Sequence, residues 1–101
     1  MGKMVKVAKK SEIPEDQGIC VEVNGREVAL FKVQNKVYAI DQICPHAGGP
    51  LAEGGLHGDK VMCPWHGWEF NVKSGECTFN PSLRQDVFKV KEDGDDVYVE
   101  S

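Results

Sequence analysis

The 101-residue chain lacks a long apolar segment. Its first ten residues are interrupted by four lysines, at positions 3, 6, 9 and 10. We therefore expect neither a secretory leader nor a membrane span in this stretch. A cytoplasmic location is the corresponding expectation, and the cysteines of a cytoplasmic protein are expected to be free thiols.

The chain also lacks an excess of basic residues. Twelve Lys and Arg stand against 16 Asp and Glu, which gives a net charge of −4. This balance argues against a nucleic-acid partner and is typical of an ordinary acidic, soluble protein. A chain of this length is expected to form one domain over residues 1–101. A complete enzyme with separate cofactor and substrate domains is not expected.

Sustained helical periodicity is missing as well. Apolar residues instead predict short strands at 5–8, 19–23, 28–33, 37–41, 60–63, 68–72, 87–91 and 97–100. Asn24-Gly25 indicates a hairpin turn because both residue types tolerate positive φ, and Gln34-Asn35 indicates a second turn. A single helical turn is expected at most, at Ser11–Pro14. The pattern predicts an all-β, antiparallel sandwich or barrel.

Two short segments carry metal-ligating residues: Cys44-Pro45-His46 and Cys63-Pro64-Trp65-His66, with sixteen residues between them. Each segment offers one thiolate and one imidazole, and the prolines restrict the backbone around them. Zinc accepts two Cys and two His, but its usual spacing pairs like ligands locally. A [2Fe–2S] centre in which two His replace two Cys on one iron uses the mixed pairing.

The arrangement C-x-H, sixteen residues, C-x-x-H resembles the Rieske family, and the similarity extends to residues 37–41, 50–54 and 68–71. The resemblance implies one [2Fe–2S] cluster, with Cys44 and Cys63 on the inner iron and His46 and His66 on the outer one. It also implies a small cluster-binding subdomain at about 42–71, inserted into a larger β framework. A zinc-stabilised binding module remains as the alternative.

The resemblance implies a function in electron transfer. The protein is expected to be a monomeric one-electron carrier that passes electrons from a flavin-dependent reductase to a terminal oxygenase, as the ferredoxin of a ring-hydroxylating dioxygenase does. The small subunit of an NAD(P)H nitrite reductase, bound to its large subunit, is the alternative. The chain itself is not expected to be the oxygenase, since that chemistry needs a mononuclear iron site with two His and a carboxylate. Of the three histidines, only His57 lies outside the two segments, so the chain cannot supply two further His ligands for such a site.

The surroundings of the two segments predict a low reduction potential. Respiratory Rieske proteins carry an extra disulfide and hydroxyl donors to the cluster sulfurs. The equivalent positions here are Gly49, Trp65, Trp68 and Phe70, which offer neither thiol nor hydroxyl. Fewer hydrogen bonds leave the more negative, reduced cluster less stabilised.

The remaining cysteines are interpreted as structural. Cys20, in the apolar segment 19–23, is expected to be a small buried hydrophobe, and Cys77 is also assigned to packing. His57 is expected to be an exposed loop histidine.

An apolar collar is expected around the two histidine ligands, both to exclude water and to dock a transient partner. It would consist of Pro45, Ala47, Pro50, Leu51, Pro64 and Trp65.

Overall fold

The computed structural model describes residues 3–15, 17–42, 50–65, 68–78 and 83–100. Within these ranges the chain forms ten strands and two 3₁₀ turns, the turns at Lys10–Glu12 and Leu51–Glu53. The strands are β1 (Met4–Lys9), β2 (Ile19–Val23), β3 (Arg26–Val33), β4 (Lys36–Asp41), β5 (Leu56–His57), β6 (Lys60–Met62), β7 (Glu69–Asn71), β8 (Val87–Phe88), β9 (Val90–Asp93) and β10 (Asp96–Glu100). Their pairings are antiparallel, which confirms the predicted fold class.

Three sheets stack around two cores. The central sheet has the order β2-β3-β4-β8, and the outer sheets have the orders β1-β10-β9 and β5-β6-β7. Side chains alternate across β3, so that Val28 and Leu30 lie in one core while Ala29, Phe31 and Val33 lie in the other. This period of two places one outer sheet on each face of the central sheet. The sheet β5-β6-β7 is inserted in the chain between β4 and β8, as the fold prediction stated.

Both predicted hairpin turns are confirmed. Asn24 and Gly25 have φ values of 52° and 80°, and Gln34 and Asn35 have values of 50° and 64°. Two successive positive φ values match the right-handed twist of the flanking strands. These turns set the register of the β2-β3-β4 meander, in which Phe31 lies opposite Tyr38.

Three details of the secondary structure differ from the prediction. The segment predicted as one strand at 87–91 is two strands, because the chain leaves the central sheet after Phe88 and joins an outer sheet at Val90. The helical turn begins at Lys10, one residue earlier than predicted. Neither the two-residue β5 nor the turn at Leu51–Glu53 was predicted, since such short elements produce no periodic pattern.

Among the residues that the structure describes, no helix is long and apolar enough to cross a membrane.

Candidate metal centre

One of the four predicted ligands, Cys63, lies within the described residues. Cys44, His46 and His66 lie outside them. Accordingly, the described part of the chain contains no group of three or more His, Cys, Asp or Glu side chains placed to hold a metal. Cys63 and the residues at which the two ligand segments begin and end define the described part of the site.

Cys63 lies at the inner end of the second segment. It follows β6 directly, its side chain is 1% exposed, and it belongs to the core beneath the β5-β6-β7 sheet. Its backbone N–H donates to the carbonyl oxygen of Trp68 at 2.6 Å. This hydrogen bond joins the two ends of the segment.

The first segment is closed in the same way, at Gln42. The N–H of Leu51 donates to the Gln42 carbonyl oxygen at 2.9 Å, and the N–H of Ala52 donates to Gln42 Oε1, also at 2.9 Å. The Gln42 N–H in turn donates to the carbonyl oxygen of Glu27 in β3 at 3.2 Å. Both ends of the segment that carries Cys44 and His46 are therefore attached to the central sheet.

The two segments are brought together through Gly54 and Gly55. The Met62 N–H donates to the Gly55 carbonyl oxygen at 3.0 Å, one residue before Cys63. A Cβ atom added at Gly54 would lie 1.9 Å from the Met62 carbonyl oxygen, so this close backbone approach requires glycine. The chain that returns from the first segment thus packs against the strand that leads into the second.

This close approach gives a testable prediction for Gly54→Ala. The added methyl group forces the two backbones apart, and we expect the free energy of unfolding to fall by about 2 kcal/mol or more. Gly55→Ala is the matched control, because its Cβ would meet only His57 Nε2 at 3.5 Å, an ordinary contact. Chemical denaturation of both variants measures the difference. Equal stability of the two variants would contradict the argument.

Charged groups reinforce the end of β4 beside the first segment. Arg26 Nη2 donates to Asp41 Oδ2 at 2.6 Å and also to a carboxylate oxygen of Asp86. The hydrogen bonds to Asp41 and then to Asp86 raise the pKa of Arg26, so the guanidinium stays charged. Because the Arg26 side chain is 47% exposed, we expect each of these two ion pairs to contribute no more than about 1 kcal/mol to the free energy of unfolding.

The interpretation of Cys20 was wrong. Its side chain is exposed, because Cys20 and Glu22 face solvent on β2 while Val23 points into the core. Partial desolvation of the thiol, and then its hydrogen bond to Glu27, raise the pKa of Cys20, which favours the unreactive thiol. Cys77 is buried at 1% exposure as expected. His57 is exposed as expected, although it lies at the end of β5 rather than in a loop.

The collar prediction was wrong for Leu51. Its side chain is 0% exposed and packs in the core, because the 3₁₀ turn it begins folds back onto Gln42. Trp65 is 60% exposed and Pro64 is exposed. Their place around the histidine ligands stays a prediction, because His46 and His66 lie outside the described residues. Pro50 is half-buried. Pro45 and Ala47 lie outside the described residues.

Gln42, Gly54 and Gly55 were missed in the sequence. The pair Gly54-Gly55 is a signal for a turn or a close backbone approach. Gln42 carried no local signal, because its partners come from β3 and from the turn after the first segment.

Comparison with known protein families matches the Rieske [2Fe-2S] domain over residues 3–94. The chain belongs to this family. Its cofactor is a Rieske-type [2Fe–2S] cluster, which favours this interpretation over the zinc-stabilised module.

Two curated relatives are ferredoxin components. The ferredoxin component of the naphthalene 1,2-dioxygenase/salicylate 5-hydroxylase systems of a Ralstonia species is 37% identical over 76 residues, which cover 75% of this chain and 72% of the relative. The ferredoxin component of the naphthalene 1,2-dioxygenase system of Pseudomonas aeruginosa is 33% identical over 90 residues, which cover 88% of this chain and 86% of the relative. This chain is likewise an electron carrier rather than a catalytic subunit.

Two solved structures extend the comparison. In a complex of reduced oxygenase and oxidised ferredoxin of carbazole 1,9a-dioxygenase, a chain 33% identical to this one superposes with a TM-score of 0.85, covering 94% of this chain and 99% of the other. A structure from Mycobacterium tuberculosis named as an NADH-dependent nitrite reductase small subunit superposes with a TM-score of 0.92 at 18% identity, covering 100% of this chain and 96% of the other. The second likeness shows a shared fold alone.

The described residues fit the cofactor. Cys63 is a free thiol, and a buried position shields a thiolate–iron bond from water. A Rieske centre needs two Cys and two His ligands, and a buried Cys63 is consistent with one of the two thiolates.

Proposed function

We propose that Cys44, His46, Cys63 and His66 hold the cluster, with the cysteines on the inner iron and the histidines on the outer one. The observation that carries this proposal is the course of the second segment. It starts at Cys63, which is 1% exposed, and two residues later reaches Trp65, which is 60% exposed. A segment that runs from the core to the surface suits a buried thiolate ligand and an outer imidazole ligand.

The role that fits this site best is that of a one-electron carrier from a flavin-dependent reductase to a terminal oxygenase. When bound, the cluster supplies the one-electron redox chemistry. The chain holds the ligands in place through the closures at Gln42 and Cys63, and it excludes water on the inner side. The support comes from relatives named as ferredoxin components and from the complex of a similar ferredoxin with its oxygenase.

The proposal includes the setting of the carrier. We place the protein in the cytoplasm as a monomer, with residues 1–101 forming a single domain and the cluster-binding part at about 42–71. The sheet β5-β6-β7 and its neighbouring turn supply much of that part.

A nitrite reductase small subunit is the second candidate function, favoured by the high TM-score and complete coverage of the Mycobacterium tuberculosis structure. The ferredoxin role is preferred because the relatives above 30% identity that this chain matches over most of their own length are ferredoxin components.

Reconstitution separates these roles. The purified holoprotein is mixed with NADH, a flavin-dependent reductase and a ring-hydroxylating oxygenase, and product formation is followed with and without the chain. We expect turnover to require the chain, and the chain alone to convert no aromatic substrate. Stable co-purification with a large nitrite reductase subunit, without any stimulation of the oxygenase, would instead support the second candidate.

The exposed Trp65 gives a prediction for docking. We expect Trp65→Gln to lower kcat/KM for electron transfer to the partner by about tenfold, because exposed aromatic residues dominate many interfaces. The visible spectrum should stay unchanged. Met4→Gln is the control, since Met4 is also exposed, at 37%, but lies in the opposite outer sheet. Equal transfer rates for the two variants would remove Trp65 from the docking surface.

A further inference from the structure

Among the residues that the structure describes, two polar side chains are buried: Gln42, 4% exposed, and Gln85, 6% exposed. They lie 43 positions apart in the chain, yet both make hydrogen bonds at the same place, the root of the first ligand segment. Burying an amide is unfavourable unless it is hydrogen-bonded. Packing alone does not explain why two buried amides occur at one position of the fold, because apolar side chains would fill the same space.

Gln42 determines how far apart the two ends of the first segment lie. Its main-chain carbonyl accepts from Leu51 and its side-chain oxygen accepts from Ala52, both at 2.9 Å. The side-chain bond adds a second attachment beside the backbone bond. The two together fix the direction as well as the distance at which the returning chain leaves the segment.

Gln85 connects the same root to the other half of the site. Its Nε2 donates to the carbonyl oxygen of Asp41 at 2.9 Å, and its backbone N–H donates to the carbonyl oxygen of Gly75 at 2.7 Å. Gly75 belongs to the turn that follows β7, and its own N–H donates to the carbonyl oxygen of Asn71 at 2.7 Å. Gln85 therefore joins the end of β4 to the strand that follows the second ligand segment.

We infer that Gln42 and Gln85 are positioning residues, which hold the roots of the two ligand segments at the separation the cluster requires. This inference rests on the proposed ligand set. An apolar core at the same place can match the stability of a buried polar one, but it cannot attach to Ala52 N–H or to the Asp41 carbonyl. The function of the two amides is thus geometric, and their loss should affect the cluster more than the fold.

The test uses the holoprotein with Gln42→Met and Gln85→Met, which preserve side-chain length and backbone hydrogen bonds but remove the side-chain hydrogen bonds to Ala52 and Asp41. Val99→Ala is the control, because Val99 is fully buried in the other core and its truncation lowers stability away from the site. We measure the rate of iron release to a chelator, together with the electron paramagnetic resonance g-values of the reduced protein. We expect release about tenfold faster than in the control, equivalent to about 1.4 kcal/mol, and shifted g-values.

Release rates and g-values equal to those of the control would overturn the inference. If a methionine variant does not fold, Gln42→Asn and Gln85→Asn carry the same test, since they retain the amide but shorten its reach by one methylene. A wild-type protein that binds no cluster would refute the proposed ligand set instead. The two failures are therefore distinguishable.

Discussion

Replacing Cys63 with serine is expected to remove the cluster. Iron and acid-labile sulfide should fall from about two of each per chain to near zero, because the ligand is a thiolate and a serine hydroxyl stays protonated at neutral pH. Cys63 is 1% exposed, so a water molecule has little access to replace the lost ligand. Metal and sulfide analysis of the purified variant measures the effect. Cys44→Ser carries the same expectation.

Two other cysteines serve as controls for this loss. Cys77 is equally buried and lies in the same core as Cys63, whereas Cys20 is exposed. Cys77→Ser is expected to lower stability, since it buries a hydroxyl, but to retain both irons. Cys20→Ser is expected to change neither quantity. A Cys63→Ser protein with full iron content, or a Cys77→Ser protein without any, would contradict the ligand assignment.

The reduction midpoint of the wild-type protein is expected in the lower half of the Rieske span, that is, between about −150 mV and about +75 mV within a total range of about −150 to +300 mV. The resemblance to respiratory Rieske proteins places Trp68 and Phe70 at positions where those proteins carry hydroxyl donors that stabilise the added negative charge. Phe70 is fully buried, and Trp68 packs against the same core. Their apolar surroundings leave the reduced state less stabilised.

Protein-film voltammetry at neutral pH measures this midpoint directly. The comparison with respiratory Rieske proteins spans a few hundred millivolts, so the expected difference is well outside measurement error. A midpoint near +300 mV would show that the missing hydroxyl donors and disulfide do not determine the potential.

Much of the fold could be predicted because the local pattern and the turn chemistry agree. Asn24-Gly25 and Gln34-Asn35 place the turns of the meander, and the apolar residues around them define β2, β3 and β4. The break between Phe88 and Val90 could not be predicted, because each side of Lys89 is a good strand sequence and only the sheet partners differ. Such a switch between sheets depends on tertiary contacts.

The sequence predicts the four ligands of the candidate site, and this ligand set stays a prediction; the residues that support the site could not be predicted. The spacing of Cys and His led to the family, which the comparisons confirmed. The roles of Leu51 and Gln42 depend on the turn that brings residues 50–54 back onto β4, and no residue within that segment signals this contact. The exposure of Cys20, in contrast, was readable, since Glu22 two positions later lies on the same face of the strand.

A single anaerobic titration tests the central claim most directly, namely that this chain is a one-electron carrier built on a Rieske cluster. The oxidised protein is reduced coulometrically while its iron, zinc and acid-labile sulfide are measured on the same sample. We predict one electron per chain, with about two irons and two sulfides and no stoichiometric zinc. Uptake of no electron, or stoichiometric zinc in the absence of sulfide, would contradict the account.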